Sequence, residues 1–226
     1  LYGPHTVGAV INYVTPPVPD VFSGNVRASL GNRDFYDVTA SIGGPLGSDT
    51  GVNLNVTRKA SDGSRDNLHS ALTDLNIKLE QQLGAAHTIT LRASMYDENS
   101  RQTYSGLTLA EYRFDPRYNP FVNDRFNTRR YGLSATHDWG LADELKLKTT
   151  AFYSYFDRNW WRQSSNSSQR PSDSSDAACG AAIILPNGVS SMPNLSTSCG
   201  TEGRLRTYNV YGREPRLSWT PGCGQI

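Results

Sequence analysis

Arginine side chains gather in and beside two long polar stretches of the chain, residues 97–128 and 162–204. They are Arg101, Arg113, Arg117, Arg125, Arg129 and Arg130 around the first, and Arg158, Arg162, Arg170, Arg204 and Arg206 around the second. A guanidinium group stays charged and binds carboxylates through two parallel hydrogen bonds. Converging arginines therefore predict a site for an anionic, carboxylate-rich ligand. For any single arginine, solvated loop charge is the competing interpretation.

Catalytic and metal-binding patterns find little support in the sequence. His5, His69, His87 and His137 stand alone without metal-ligand spacing. There is no Gly-x-Ser-x-Gly elbow and no phosphate-cradling glycine loop after a strand. A net charge of +1 gives no case for binding nucleic acid. We therefore predict that the protein is not an enzyme, holds no metal or cofactor and has no nucleic-acid partner.

Two of the three cysteines share one of the polar stretches. Cys179 and Cys199 lie in a segment that has no apolar pattern to order it. A disulfide between them would contribute roughly 3 kcal/mol in the loop-entropy model and requires an oxidising compartment such as the periplasm. Free thiols are the alternative. Cys223 has no evident partner, and the tail from Pro221 breaks the preceding pattern without a physical explanation.

β-Strands must position these side chains, because apolar residues recur at every second position along most of the chain. An example is Leu75, Ile77 and Leu79, which alternate with polar residues. Strand spacing separates the two sets, whereas helical spacing would mix them. The pattern predicts eight strands, at residues 25–30, 36–42, 52–57, 73–83, 89–96, 131–135, 145–161 and 208–219. One helical turn is predicted near 109–114.

Composition and loop lengths narrow the fold class. Hydrophobic residues make up 37% of the 226 residues, against roughly 45–50% in a typical globular domain. Short turns at 43–51, 84–87 and 139–144 alternate with longer loops at 60–67, 97–128 and 162–204, and aromatic residues gather near strand ends. This asymmetry is typical of transmembrane β-barrels, whose strands expose one apolar face to lipid. There are two alternatives to this interpretation. The aromatic residues could belong to the core of a β-sandwich, or the eight strands could close into a small barrel.

The first sixteen residues end a different unit. Tyr2-Gly3-Pro4 marks a turn, Val10–Val14 reads as a short β-branched strand, and the prolines from Pro16 terminate it. Together with Val7-Gly8-Ala9-Val10-Ile11-Asn12, this segment resembles the closing part of the plug domain of TonB-dependent outer-membrane receptors. In that family the barrel begins directly afterwards.

A second set of residues resembles the ferric dicitrate receptor branch of that family. The set comprises Tyr112-Arg113, Asp124-Arg125-Phe126, Phe152-Tyr153, Arg158, Tyr208, Val210 and Gly212 to Arg216. The resemblance covers nearly the whole chain and fails at the last six residues. It implies that Arg158 and Arg206 contact the ferric citrate complex. The loop between these two arginines differs in length from the family pattern and carries Cys179 and Cys199.

The resemblance implies an all-β fold: an antiparallel transmembrane β-barrel preceded by the last strand of a plug. Residues 1–19 would end the plug, and residues 20–226 would supply about eight strands of a barrel of about 22. We expect a fragment of a Gram-negative outer-membrane receptor that imports a ferric chelate of the citrate type. Its expected partners are the chelate, TonB through a region upstream of Leu1, and outer-membrane lipid and lipopolysaccharide.

Two other functions stay open at this stage. A secreted or surface β-sandwich for carbohydrate binding or adhesion would also be all-β, and Asn55-Val-Thr57, Asn166-Ser-Ser168 and Asn194-Leu-Ser196 match glycosylation acceptors. A porin that does not transport chelates is the third possibility. The plug-like first strand argues against the porin.

Overall fold

The computed structural model describes residues 15–103, 106–107, 109–119, 124–162, 183–184, 190–191 and 202–220. Ten strands and one short helix, α1 (Leu109–Phe114), lie within them. The strands are β1 (Ser23–Leu30), β2 (Tyr36–Pro45), β3 (Thr50–Asp62), β4 (His69–Leu83), β5 (His87–Arg101), β6 (Arg125–Ala142), β7 (Leu145–Arg162), β8 (Ile183–Ile184), β9 (Ser190–Ser191) and β10 (Glu202–Trp219). The predicted helical turn and all eight predicted strands are confirmed.

Eight of the strands form one antiparallel sheet in the order β1-β2-β3-β4-β5-β6-β7-β10. Each strand pairs with the next one along the chain, apart from the two-residue strands β8 and β9, which pair with each other. Three turns join strands at one end of the sheet, at residues 46–49, 84–86 and 143–144. We call this end the short-turn end, and the opposite end of the strands the long-loop end.

The register gives the sheet one apolar and one polar face. On the apolar face, Leu54 pairs with Ile77 and Ile77 with Ala93. On the polar face, Asn55 pairs with Asn76 and Asn76 with Ser94. Because side chains alternate along a strand, this division runs from strand to strand across the middle of the sheet. The division arises from the period-two pattern of the sequence, because the registers place residues of the same kind opposite each other on neighbouring strands.

The apolar face is open over most of its area. Val26 is 74% exposed and Leu133 is 58% exposed. A β-sandwich would cover such a face with a second sheet, but the other sheet found in the described part of the chain is the two-residue β8–β9 pair. The architecture therefore does not match the sandwich alternative. None of the helices described is long and apolar enough to cross a membrane.

Several strands extend beyond their predicted limits at the long-loop end. Residues 97–101 belong to β5 and residues 125–130 to β6, so the connection predicted at 97–128 was too long. The stretch predicted as a loop at 60–67 shrinks to residues 63–68. The cause is chemical: at this end both faces of the sheet are polar, so strands continue without hydrophobic alternation. Likewise, β10 begins at residue 202 and not at 208.

The short-turn end also differs from the prediction. Trp139 lies within β6, and the turn predicted at 139–144 contracts to residues 143–144. The register between β6 and β7 shifts between Gly140 and Ala142. An extra residue of this kind kinks a strand locally and ends its regular alternation, which is why the pattern suggested an early turn.

Candidate functional site

Arg158 and Arg206, the two predicted ligand-binding residues, are direct cross-strand partners on β7 and β10. Their side chains share the polar face, near the long-loop end. Residues directly opposite in an antiparallel pair have Cα atoms about 4.5–5.5 Å apart, and like charges in this position destabilise a sheet. The sequence thus brings two guanidinium groups together at a cost in stability, which favours a functional reason for the pair.

Aromatic rings surround the two arginines above and below on the same face. Trp160 lies one row nearer the long-loop end, and the guanidinium carbons of Arg158 and Arg204 each lie 5.9 Å from its ring. One row in the other direction, Phe156 stacks on Tyr208 with ring centroids 6.1 Å apart. The Trp160 ring attracts the guanidinium groups of Arg158 and Arg204 through its quadrupole.

The hydrogen bonds of the pair leave much of its donor capacity unused. Arg206 donates from Nη1 to the Tyr208 hydroxyl at 3.4 Å. The Nε of Arg158 is buried and has no hydrogen-bond partner within the described residues. A buried donor without a partner costs free energy. Arg206 is exposed and Arg158 is half-buried, so an incoming acceptor would meet their terminal Nη groups and not this buried Nε.

A carboxylate in the same row does not neutralise the arginines. Glu98 pairs in register with Thr128, and Thr128 with Arg158. However, the Glu98 carboxylate already accepts hydrogen bonds from the Tyr96 hydroxyl at 2.7 Å and the Ser100 hydroxyl at 2.8 Å. Among the described residues, no ion pair joins Arg158 or Arg206 to an acidic side chain. The positive charge of the pair therefore remains available.

Arg204 and Arg130 complete a cluster that we call the arginine patch, defined as Arg130, Arg158, Arg204 and Arg206. Arg130 lies on the same face, 5.8 Å from the ring of Tyr96. Arg204 pairs in register with Trp160. The prediction did not separate these two from the other arginines. The alternation of side chains along a strand could have identified Arg204, since it lies two residues from Arg206 and therefore on the same face.

The other arginines of the first polar stretch are divided between elements. Arg125 and Arg129 lie on β6 with the parity of the apolar face, and Arg129 pairs with Asp97 at 2.8 Å. Arg117 follows α1 and pairs with Asp66 at 3.0 Å, which ties the β3–β4 connection to the β5–β6 connection. Arg125 therefore lies on a strand beside the connection and not within it, because β6 begins earlier than predicted.

Two of the histidines are not isolated. The Nδ1 atom of His87 lies 3.0 Å from Nε2 of His137, and both rings stack with Trp139 at the short-turn end of the apolar face. No pattern in the sequence pointed to this pair, since 50 residues separate its members. Among the described residues there is no group of three or more side chains able to hold a metal ion.

Cys179 and Cys199, the predicted disulfide, lie outside the described residues, as do residues 1–14 of the predicted plug end. Both remain predictions.

The sheet, with one apolar and one polar face and its long connections at one end, has the fold of a stretch of the β-barrel wall of TonB-dependent receptors. No protein-family model matches the chain. The chain is similar to the ferric citrate transporter FecA in its unliganded form, with a TM-score of 0.71 and 22% identity over 96% of this chain and 29% of that one.

Two further solved structures share the fold. The open form of the ferric-catecholate import receptor Fiu from E. coli K12 gives a TM-score of 0.66 at 14% identity, over 93% of this chain and 33% of that one. The siderophore receptor PiuA from Acinetobacter baumannii gives 0.61 at 10% identity, over 90% and 28%. The chain therefore spans about a third or less of the length of each.

Proposed function

We propose that the chain ends the plug and begins the barrel of a TonB-dependent outer-membrane receptor that imports a ferric chelate, and that this chelate is citrate-like. The observation that carries the proposal is the cross-strand pair of Arg158 and Arg206, which no acidic side chain neutralises among the described residues. The barrel fold, shared with receptors and a transporter of iron chelates, supports it. Transport and not catalysis is the proposed role.

The chemistry of the arginine patch favours a carboxylate chelate. Each guanidinium can grip a carboxylate through two parallel hydrogen bonds. Arg158 and Arg206 on adjacent strands can therefore hold two carboxylates of one ligand, or two ligands of one iron complex. Ferric citrate presents several carboxylate oxygens and carries net negative charge, so it fits a site with this number of donors.

The apolar face would contact the lipid of a Gram-negative outer membrane. From Tyr131 to Trp139, β6 advances eight positions, which is about 20 Å of height at about 3.4 Å per residue and a tilt of about 40°. The apolar band of a membrane barrel is about 25 Å tall and ends in aromatic girdles. Tyr131 stacks on Tyr155 at one border, and Trp139 lies at the other.

A charged row follows directly beyond the Tyr131 border on the same face. In register, Arg58 pairs with Thr73, Thr73 with Asp97, Asp97 with Arg129, and Arg129 with Asp157. In the proposed orientation this row lies at the level of the lipopolysaccharide head groups. Arg58 would then face their phosphates, whereas Arg129 is already paired with Asp97.

Import follows from three steps in this proposal. The connections at the long-loop end admit the chelate, the arginine patch holds it on the inner wall, and TonB acts on the plug to open a path. The TonB contact would belong to sequence upstream of Leu1. Nothing in the described residues supplies the energy for this last step.

Ligand binding by the intact protein tests the proposal. Trp160 lies against Arg158 and Arg204, so bound ferric chelate should quench its fluorescence. We expect ferric citrate to bind at least tenfold more tightly than a ferric catecholate, and Trp160→Phe to remove most of the signal. The aromatic rings and the likeness to Fiu favour the alternative ligand. Tighter binding of the catecholate would therefore overturn the citrate assignment while leaving ferric import in place.

The proposed disulfide gives a separate prediction. Mass spectrometry of unreduced peptides from the intact protein should find Cys179 joined to Cys199, with Cys223 outside the bond. The bond closes a loop of about 20 residues. In the loop-entropy model it stabilises the folded protein by roughly 3 kcal/mol. Recovery of both cysteines as alkylated free thiols from protein purified without reductant would contradict the prediction.

A further inference from the structure

The segment Thr15–Phe22, which we call the entry segment, lies across the polar face at the short-turn end before it enters β1. Two glycines on β2 and β3 make room for it. A Cβ atom at Gly51 would lie 2.7 Å from Cγ1 of Val18, and one at Gly43 would lie 3.1 Å from Cδ of Pro19. At Gly51 an added Cβ would force the Val18 side chain to shift, and at Gly43 it would also meet the Val52 carbonyl oxygen at 2.8 Å, so glycine leaves room for the segment at both positions.

A buried lysine binds the backbone of the entry segment. Lys78 is 8% exposed, and its Nζ donates a hydrogen bond to the Pro16 carbonyl at 3.1 Å. The same Nζ pairs with Oε1 of Glu80 at 2.6 Å. The amide of Asn53 donates to the Pro17 carbonyl at 3.4 Å. An ammonium group in this position depends on these acceptors, since it has little contact with water.

The entry segment itself is stiff. Pro16, Pro17 and Pro19 restrict φ and have no N–H to donate, so their carbonyls are the groups through which the backbone can be held. Lys78 and Asn53 contact two of these carbonyls. Contacts to β2, β3 and β4 thus fix a short, rigid piece of chain at several points.

We infer that the entry segment is a fixed anchor: it stays docked on the barrel wall throughout import, and any movement of the plug hinges on the N-terminal side of Pro16. This inference rests on the proposed function. Lys78 is a positioning residue in this device, because it acts on the segment and not on the ligand. A force applied to the plug would therefore act against the wall at Pro16 and would not pull on β1.

A reversible lock tests whether the anchor moves during import. A Cβ built at Gly51 lies 3.3 Å from the Cβ of Val18, close to the Cβ separation of about 3.5–4.5 Å in disulfides. In the intact protein, Val18→Cys with Gly51→Cys should form this bond on oxidation, as checked by mass spectrometry. We expect ferric citrate uptake by the oxidised double variant to stay within twofold of uptake by the oxidised parent protein, which keeps the same native cysteines. A tenfold loss that reductant restores would overturn the fixed anchor.

A labelling experiment tests the role of Lys78 without any transport. In intact protein carrying Val18→Cys, a bulky maleimide should react slowly, and adding Lys78→Met should speed the reaction at least fivefold. Lys146→Met, an exposed lysine on the same face of β7, is the matched control and should have no effect. The parent protein, with its native cysteines, gives the background. Equal rates with and without Lys78→Met would show that Lys78 does not hold the entry segment in place.

The two experiments separate failure of the anchor from failure of the proposed function. If the unmodified protein takes up no ferric chelate, the import proposal fails, and the labelling rates still decide whether Lys78 holds the segment. If import proceeds but the oxidised lock stops it, the anchor inference alone fails.

Discussion

Arg158→Glu in the intact protein should abolish ferric citrate uptake while the protein still inserts into the outer membrane. The change removes a guanidinium with an unpaired buried Nε and places a carboxylate beside Arg206. Losing one partner of a desolvated charge pair costs roughly 2–5 kcal/mol, which is about 30-fold to several thousand-fold in affinity. The new carboxylate would also repel the ligand and occupy Arg206. Growth on ferric citrate and binding of labelled complex measure the loss.

The controls for this prediction come from the same strand and the same residue. Lys146→Glu reverses a charge on the same face of β7 but far from the arginine patch, and uptake should remain near the wild-type level. Arg158→Lys keeps the charge and loses the two-pronged geometry, so affinity should fall by an intermediate amount. If Arg158→Glu transports ferric citrate at the wild-type rate, Arg158 has no part in the site.

The sequence was most informative where one face of the sheet is apolar. Leu54 and Ile77 alternate with polar residues, and this pattern predicted the strands and their two faces, whereas the antiparallel barrel was implied by the resemblance. It was least informative at the long-loop end, where Asp97 and Arg129 interrupt the apolar face and Arg130 lies on the other face. Strands continue there because backbone pairing does not need hydrophobic alternation, so the strand ends could not be read from the pattern.

The candidate site shows a second limit. Resemblance to a family selected Arg158 and Arg206, but their direct pairing depends on the register between β7 and β10. No periodicity fixes that register across the long connection at 163–201. The aromatic environment follows from the same register, because Trp160 faces Arg204 only when β10 is aligned in this way. The contacts of the entry segment were equally hidden, since Lys78 lies 62 residues from Pro16.

Ile77→Arg should destabilise the intact protein strongly, whereas Asn76→Arg should change its stability little. Ile77 lies on the apolar face at 40% exposure, between Leu54 and Ala93 in register. Its neighbour Asn76 points to the polar face, where its amide donates to the carboxylate of Asp74. An arginine on the lipid face near the bilayer midplane costs about 2–4 kcal/mol. Urea unfolding in lipid bilayers measures the free energy of unfolding for each variant.

The pair of variants decides what covers the apolar face, because both place the same side chain at adjacent positions of one strand. If lipid covers it, Ile77→Arg must desolvate a charge, and the difference between the variants should reach about 2 kcal/mol or more. If water reached the face instead, an arginine at Ile77 would remain solvated. The two free energies of unfolding would then agree within about 0.5 kcal/mol, as is usual for surface substitutions, and the membrane orientation proposed for the sheet would be wrong.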